Sequence, residues 1–318
     1  MLILFGMVDI ETVLVLGAGA SMPFSFPSGK KLVALINDML NGDSPTVDLL
    51  KKHGHEKEHI WNFRNTLVLS GRSSVDEFLE YRTDFLDIGK EAIAAALLRF
   101  EQTANLFNVK KDNNWYQYLF GLLNTSFDEF DQNKLAIITF NYDRSFEHYL
   151  FTALQHAYNK NDEECAEKLN KIPIVHLHGK LGRLPWEKTR YSLVPYDTPR
   201  YPDKLGLYVG RGGVNIKIIH EDIKKDPEFK QAFELLIAAK RICFLGFGFN
   251  ETNLKRLRIE SLCQPDVPDK DICGTSYGLS QRQLQLVKGY KKTPNRLIDL
   301  YSQKIYDFLY SNPNASLG

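Results

Sequence analysis

Four short runs in the chain carry residue types that can do chemistry. Asn141-Tyr142-Asp143 places an amide, a phenol and a carboxylate side by side, and His178 is followed by Gly179. Glycines are paired at Gly17-Ala18-Gly19-Ala20-Ser21 and again at Gly246-Phe247-Gly248-Phe249-Asn250. An amide donates and accepts hydrogen bonds. An imidazole, with an ordinary pKa near ~6.5, exchanges a proton at neutral pH. Glycine turns let backbone N–H groups approach a phosphate, and a helix N-terminus beyond the turn adds favourable partial charge for an anion. Each run alone also has a plain structural reading. Asn141 to Asp143 can cap a helix, His178 can be a hydrogen-bonded core residue, and paired glycines can mark a tight β-α corner.

Each run stands at the end of a predicted strand. Thr12 to Leu16, Leu135 to Thr139, Pro173 to His178 and Arg241 to Leu245 are short apolar runs that stop abruptly, as strands buried on both faces do. A further strand is expected over 271–278, and a short one is possible over 191–194. Helical periodicity covers 28–40, with Leu32, Leu35, Ile36 and Leu40 on one face, then 115–123, 144–158 and 227–240. Ser74 with Glu77 reads as a capping box that opens a long helix from Asp76 to about Asn105. Residues 46–73 are ambiguous, 180–215 read as loop, and helix is expected to continue to about 311. The pattern predicts an α/β fold: a doubly wound, Rossmann-like parallel sheet with a large helical insertion. The predicted nucleotide-binding domain spans 1–27 and 131–285, the insertion 28–130, and a C-terminal helical extension 286–318. In such a sheet ligands bind beyond the carboxyl ends of the strands, so the four runs are expected to share one pocket. The tail from Ser311 is expected to fray.

Several classes are excluded. The dinucleotide fingerprint is incomplete, because Met22 stands where its third glycine belongs. A phosphate loop is ruled out, since Phe24 lies five residues before Gly29-Lys30 and Lys31 follows in place of Ser or Thr. With 40 basic and 39 acidic residues, charge gives no argument for nucleic acid or an anionic membrane. The runs hold no C-x-x-C pair among the 4 cysteines, which argues against a zinc ribbon and fits a reducing cytoplasm. Met1 to Phe5 is apolar but lacks a basic flank, so no signal peptide is expected, and no run is long enough to span a membrane. His53, His55 and His59 sit among Lys52, Glu56, Lys57 and Glu58 and read as solvated surface rather than a metal site.

In order, Gly17 to Ser21, Thr139-Phe140-Asn141-Tyr142-Asp143, His178-Gly179 and Gly246-Phe247-Gly248 resemble the NAD-binding motifs of sirtuins. The likeness runs from about 12 to 280. It is closer to the bacterial sirtuin-like branch, in which the Thr-x-Asn-Tyr-Asp form recurs and NAD is hydrolysed during antiphage defence. The departures narrow what is implied. The two C-x-x-C pairs of the deacylase zinc module are missing, and Cys243 is the one cysteine between His178 and Gly248. Phe140 replaces the usual glutamine, and Met22-Pro23-Phe24-Ser25-Phe26-Pro27 occupies the place of the Pro-x-Phe-Arg loop without an arginine. Acyl-lysine chemistry loses its substrate site, while NAD binding keeps its motifs.

The resemblance implies an NAD glycohydrolase that releases nicotinamide and ADP-ribose, with NAD as substrate and no metal. It assigns catalysis to Asn141 and His178, acting on a ribose hydroxyl or a placed water. It assigns NAD contacts to Gly17, Ala18, Gly19, Ala20, Ser21, Thr139, Asp143, Gly246, Gly248 and Asn250, with Asp143 on the carboxamide or on Asn141 and Asn250 near the adenosine ribose. Asp76 either faces the pocket or simply places charge at a helix start. An alternative is a non-catalytic sensor of NAD or ADP-ribose. The family commonly forms multimers, and Ala92 to Leu98 shows no polar face over two turns. Either that helix is core or it forms an interface, and a homo-oligomer or a separate partner such as an ATPase is expected through residues 76–130.

Overall fold

The computed structural model describes residues 7–123, 125–187, 192–219, 223–264, 266–292, 295–296 and 298–312. The N-terminal apolar run, most of the tail and part of the 191–194 segment lie outside these; of the last, Leu193 bridges Arg183.

The chain starts with β1 (Thr12–Leu16) and the one-turn helix α1 (Ala18–Ser21). Next come α2 (Gly29–Met39), α3 (Pro45–Lys52), α4 (Lys57–Leu69), α5 (Val75–Tyr81), α6 (Leu86–Leu97), α7 (Thr103–Leu106) and α8 (Trp115–Leu122). The chain re-enters the sheet as β2 (Leu135–Thr139), crosses by α9 (Ser145–Tyr158) and α10 (Asp162–Leu169), and forms β3 (Ile174–His176). α11 (Leu205–Asn215) and α12 (Pro227–Ala238) lead to β4 (Arg241–Leu245), and α13 (Glu251–Arg256) to β5 (Asp271–Thr275). The end comprises α14 (Gln281–Gly289), the hairpin of β6 (Lys291–Lys292) and β7 (Asn295–Arg296), β8 (Asp299–Tyr301) and α15 (Ile305–Ser311).

Six strands form a wholly parallel sheet in the order β3-β2-β1-β4-β5-β8. This is the Rossmann arrangement, whose order reverses between β1 and β4. β1 and β2 are buried along their whole length, and β4 along all but its first residue, because both faces are covered. Leu14 and Leu16 turn to the helices of 28–123, α9 and α15, while Val13 and Val15 turn to the layer of α12, α13 and α14. Two clusters on opposite faces make the fold doubly wound, as predicted.

Four expectations change. The predicted C-terminal helix is interrupted by β8, a sixth sheet strand of three residues, too short to show a period. The long helix from Asp76 to about Asn105 is three helices, α5, α6 and α7: at the first break Arg82 leaves helical geometry at φ −117°, ψ 70° and grips Asp84 through two hydrogen bonds of 2.9 and 2.6 Å. The capping box there is half formed: Ser74 accepts from the Glu77 N–H, but the Glu77 carboxylate pairs with Arg72. The 180–215 segment ends in a helix, α11, which packs along α6. A Cβ on Gly212 would stand 3.2 Å from the Ala94 Cβ, and one on Gly213 3.0 Å from Glu91 Cγ. The glycines that suggested loop are what let two helices approach closely.

That packing also explains the apolar middle of α6. Ala92 to Leu98 is buried by helices of the same chain, α11 and α2 among them. The helix is core, so its missing polar face is no sign of a subunit interface.

Candidate active site

The β1 and β4 turns meet at the switch point of the sheet. The Gly17 N–H donates to the Leu245 carbonyl at 3.1 Å, and the Gly19 N–H to the Gly246 carbonyl at 3.0 Å. The Gly246 N–H is taken by Thr275 Oγ1 at 2.9 Å. A Cβ on Gly246 would lie 2.3 Å from the Ala20 nitrogen, and Gly246 has φ +58°, where only glycine is unstrained. Gly17 and Gly19 are equally closed, with added Cβ atoms 2.7 and 2.8 Å from residue 246. These glycines permit one backbone to press on another, and the N–H groups of Gly17 and Gly19 serve that contact rather than a phosphate. The turn leads at once into α1, of four residues, and the helix expected from sequence near 27–29 is α2, capped by Ser28, whose Oγ accepts from the Lys31 N–H.

Beside this corner, Ser21, Asn141 and Asp143 form a hydrogen-bonded chain. Asn141 Nδ2 donates to the Gly17 carbonyl and to Ser21 Oγ, both at 3.0 Å, and the Ser21 hydroxyl donates to Asp143 Oδ2 at 2.8 Å. Ser145 donates to the other Asp143 oxygen through its N–H and its hydroxyl. Burial pushes the Asp143 carboxyl above its ordinary range, against these hydrogen bonds. Both donors of the Asn141 amide are therefore engaged, and Oδ1 is the atom it can turn to a ligand. Asp143 acts on Asn141 through Ser21. Thr139 Oγ1 accepts from the Asn141 N–H at 3.0 Å. Trp115 Nε1 donates to the Ala20 carbonyl at 2.9 Å, tying the insertion to the turn.

His178 lies just past β3. Gly179, at φ +68° with no room for a Cβ beside the Asn215 carbonyl, turns the chain away, and the Lys217 N–H donates to the His178 carbonyl at 2.7 Å. The imidazole is 7% exposed, with the rings of Phe140 and Tyr142 centred 5.6 and 5.9 Å from it. Its Nδ1 stands 3.2 Å from Asp76 Oδ1, and Ser74 Oγ donates to the other Asp76 oxygen. Burial pushes the Asp76 carboxyl up, but the hydrogen bonds and charge of His178, with Ser74, outweigh it and hold the group below its ordinary range. An ionised carboxylate only accepts, so Nδ1 turns its proton to Asp76, and in the neutral ring Nε2 is the nitrogen with the lone pair. Nε2 is buried and has no hydrogen-bond partner among the described residues, as is true of the Tyr142 hydroxyl. Glu80, one turn along α5 from Asp76, pairs with Arg256 of α13 at 2.9 Å. The insertion is thus latched to the far side of the site.

The sequence motifs come together here, with differences. Gly248 is exposed and has room for a side chain. Asn250 caps α13 through Oδ1, at 2.8 Å from the Thr252 N–H. Asp76, which sequence left between two readings, faces the catalytic candidate. Sequence gave Tyr142 and Phe247 no role; the Phe247 ring sits 5.3 Å from that of Phe140 and completes the apolar wall. Their places directly after predicted strands were the available signal. The histidine run is not simple surface either: His53 and His55 both reach Glu91 Oε2, at 2.8 and 3.3 Å, and His59 lies against Phe85. Among the described residues no group of three or more metal-binding side chains occurs, and no helix is long and apolar enough to cross a membrane.

No curated protein matches the chain. The family model described as the SIR2-like domain matches residues 135–263, a span that holds Thr139, Asn141, Asp143, His178, Gly246, Gly248 and Asn250. Residues 135–263, part of the Rossmann-ordered parallel sheet with these residues at its strand ends, are thus similar to the SIR2-like domain, a domain that uses NAD.

Proposed function

We propose that the protein is an NAD glycohydrolase, cleaving NAD and water to nicotinamide, ADP-ribose and a proton. The observation that carries this reading is the Asp76–His178 pair, with a buried, unpartnered Nε2 beside the strand ends. Nicotinamide departs as a neutral molecule from a cationic linkage, so no strong general acid is required. The N-glycosidic bond breaks, a water oxygen bonds to the ribose carbon, and Nε2 takes the proton that water or a ribose hydroxyl releases. Asp76 fixes the ring and its tautomer and stabilises the imidazolium that forms, as the carboxylate of a hydrolase triad does. Asn141 Oδ1 accepts from a ribose hydroxyl or from the attacking water. Phe140, Tyr142 and Phe247 keep bulk water away and strengthen these interactions. The phosphates must be met by groups other than the Gly17 and Gly19 amides.

The Thr-x-Asn-Tyr-Asp form and the missing cysteine pairs support a place among NAD-depleting effectors of antiphage defence, acting in abortive infection. Such an effector must be held inactive. We place that control in self-assembly or in a separate partner such as an ATPase, on a surface other than the apolar stretch of α6. Pure protein incubated with NAD, alone and with the products of neighbouring genes, should release nicotinamide measurable by chromatography. No release under any of these conditions overturns the reading. Calorimetric NAD binding without product over hours would move it to the sensor.

A further inference from the structure

A second histidine, His176, lies two residues before His178 and is 7% exposed. Its Nδ1 stands 3.0 Å from the Asn141 main-chain carbonyl, and its Nε2 2.7 Å from Glu147 Oε1 on α9. Both neighbours are acceptors. A carbonyl can only accept, and so can an ionised carboxylate. The Lys180 ammonium, 3.6 Å from the same Glu147 oxygen, favours its carboxylate form independently of the ring. A neutral ring has one N–H, so either tautomer would turn a buried lone pair against an acceptor. The imidazolium alone satisfies both contacts.

The surrounding charges admit a cation. Lys180, following β3, stands 3.6 Å from Glu147 and 2.5 Å from Glu187, so one ammonium meets two carboxylates and leaves room for a second cation. Asp143 and the Tyr116 hydroxyl, from the β2 loop and α8, line the same small cavity as His176 and Glu147. The cavity, about 10 Å³, has close to the room one water needs.

We propose that His176 is a positioning residue, a doubly protonated clamp that ties the Asn141 main chain to α9 and sets where Asn141 and Tyr142 stand. Its other ties already fix the Asn141 N–H and side-chain amide; His176 fixes the carbonyl, and with it the peptide that leads into Tyr142. The effect on turnover rests on the glycohydrolase reading, whereas the protonation and the position of residues 141–143 do not.

The test is nitrogen-15 NMR on the full chain. In histidine-labelled protein at pH 8, the ring lost in His176→Gln should carry protons on both nitrogens; a ring with one bare nitrogen overturns the clamp. His176→Gln should also move the backbone amide resonances of Asn141 to Asp143, and their staying in place overturns the positioning role. In Glu147→Gln, which faces the ring with a neutral amide, His176 should lose its second proton by pH 8. Retention there overturns the pairing, even if His176→Gln does not fold. With NAD, His176→Gln should lower kcat about tenfold with KM little changed. An unchanged kcat in an active enzyme overturns the catalytic consequence. An inactive wild-type protein overturns the glycohydrolase reading and leaves the NMR outcomes to decide the clamp.

Discussion

The corner where β1 meets β4 and the end of β3 lie at the same edge of one sheet, yet they use their polar groups in opposite ways. At the corner the N–H groups of Gly17, Gly19 and Gly246 are engaged within the protein, and glycine is required because backbone presses on backbone. Past β3, His178 Nε2 is buried with no partner among the described residues, as is the hydroxyl of Tyr142, which follows β2. An unpartnered buried polar atom costs free energy, so its place beyond the strand ends points to a ligand. Reactivity is to be sought where hydrogen-bonding capacity is left over, and shape where it is saturated.

Substitution should separate the two regions. Gly246→Ala places a methyl 2.3 Å from the Ala20 nitrogen at a positive φ and should cost about 4 kcal/mol or more, leaving little folded protein by denaturant titration. Gly248→Ala, two residues on in open space, should stay within about 0.5 kcal/mol. Equal losses in the two variants would contradict the closed corner. His178→Gln should invert the pattern, with nicotinamide release falling by about 10²–10⁴-fold while the unfolding midpoint barely moves. Asp76→Asn should lose less, because an amide oxygen can still accept from Nδ1.

Asn141 stands between the regions and should show both effects. Asn141→Ala removes two bonds to the corner as well as Oδ1, so stability and rate should fall together. Ser21→Ala, which cuts the link from Asn141 to Asp143, should cost about 1–3 kcal/mol. A fully stable Asn141→Ala would mean that the amide belongs to the reactive side alone.

The smallest effect is a pH dependence next to the β3 side. Glu147 and His148 are consecutive on α9 and respond to acid differently. The folded value of Glu147 is about 2, so its contribution is complete above the ordinary value of 4.5 and is lost only as pH falls through about 2. Burial pushes His148 down to about 4, with Arg144 adding and Asp197 and Glu147 opposing. Between 6.5 and about 4 the unfolded chain binds a proton at His148 that the folded chain does not, so stability should decline across that window. Denaturant midpoints at pH 7 and 5 should differ less in His148→Gln than in the parent protein.

The sequence by itself determined the strands that carry the site. β1, β2 and β4 appear as five-residue apolar runs because both of their faces are buried, and each ends where a chemically capable residue begins. The order of the four motifs was likewise legible, and three of them fall within the stretch that resembles the SIR2-like domain. Tertiary structure decided the rest. Asp76 meets His178 across 102 residues, and no local period encodes that contact. A sequence shows that Gly17, Gly19 and Gly246 are small, but their reason is each other's backbone. α11 reads as loop until Ala94 and Glu91 are placed against its glycines, and β8 is too short to register before β5 supplies its partner. Periodicity reports what one segment turns toward core or solvent, whereas a site is made by what distant segments turn toward one another.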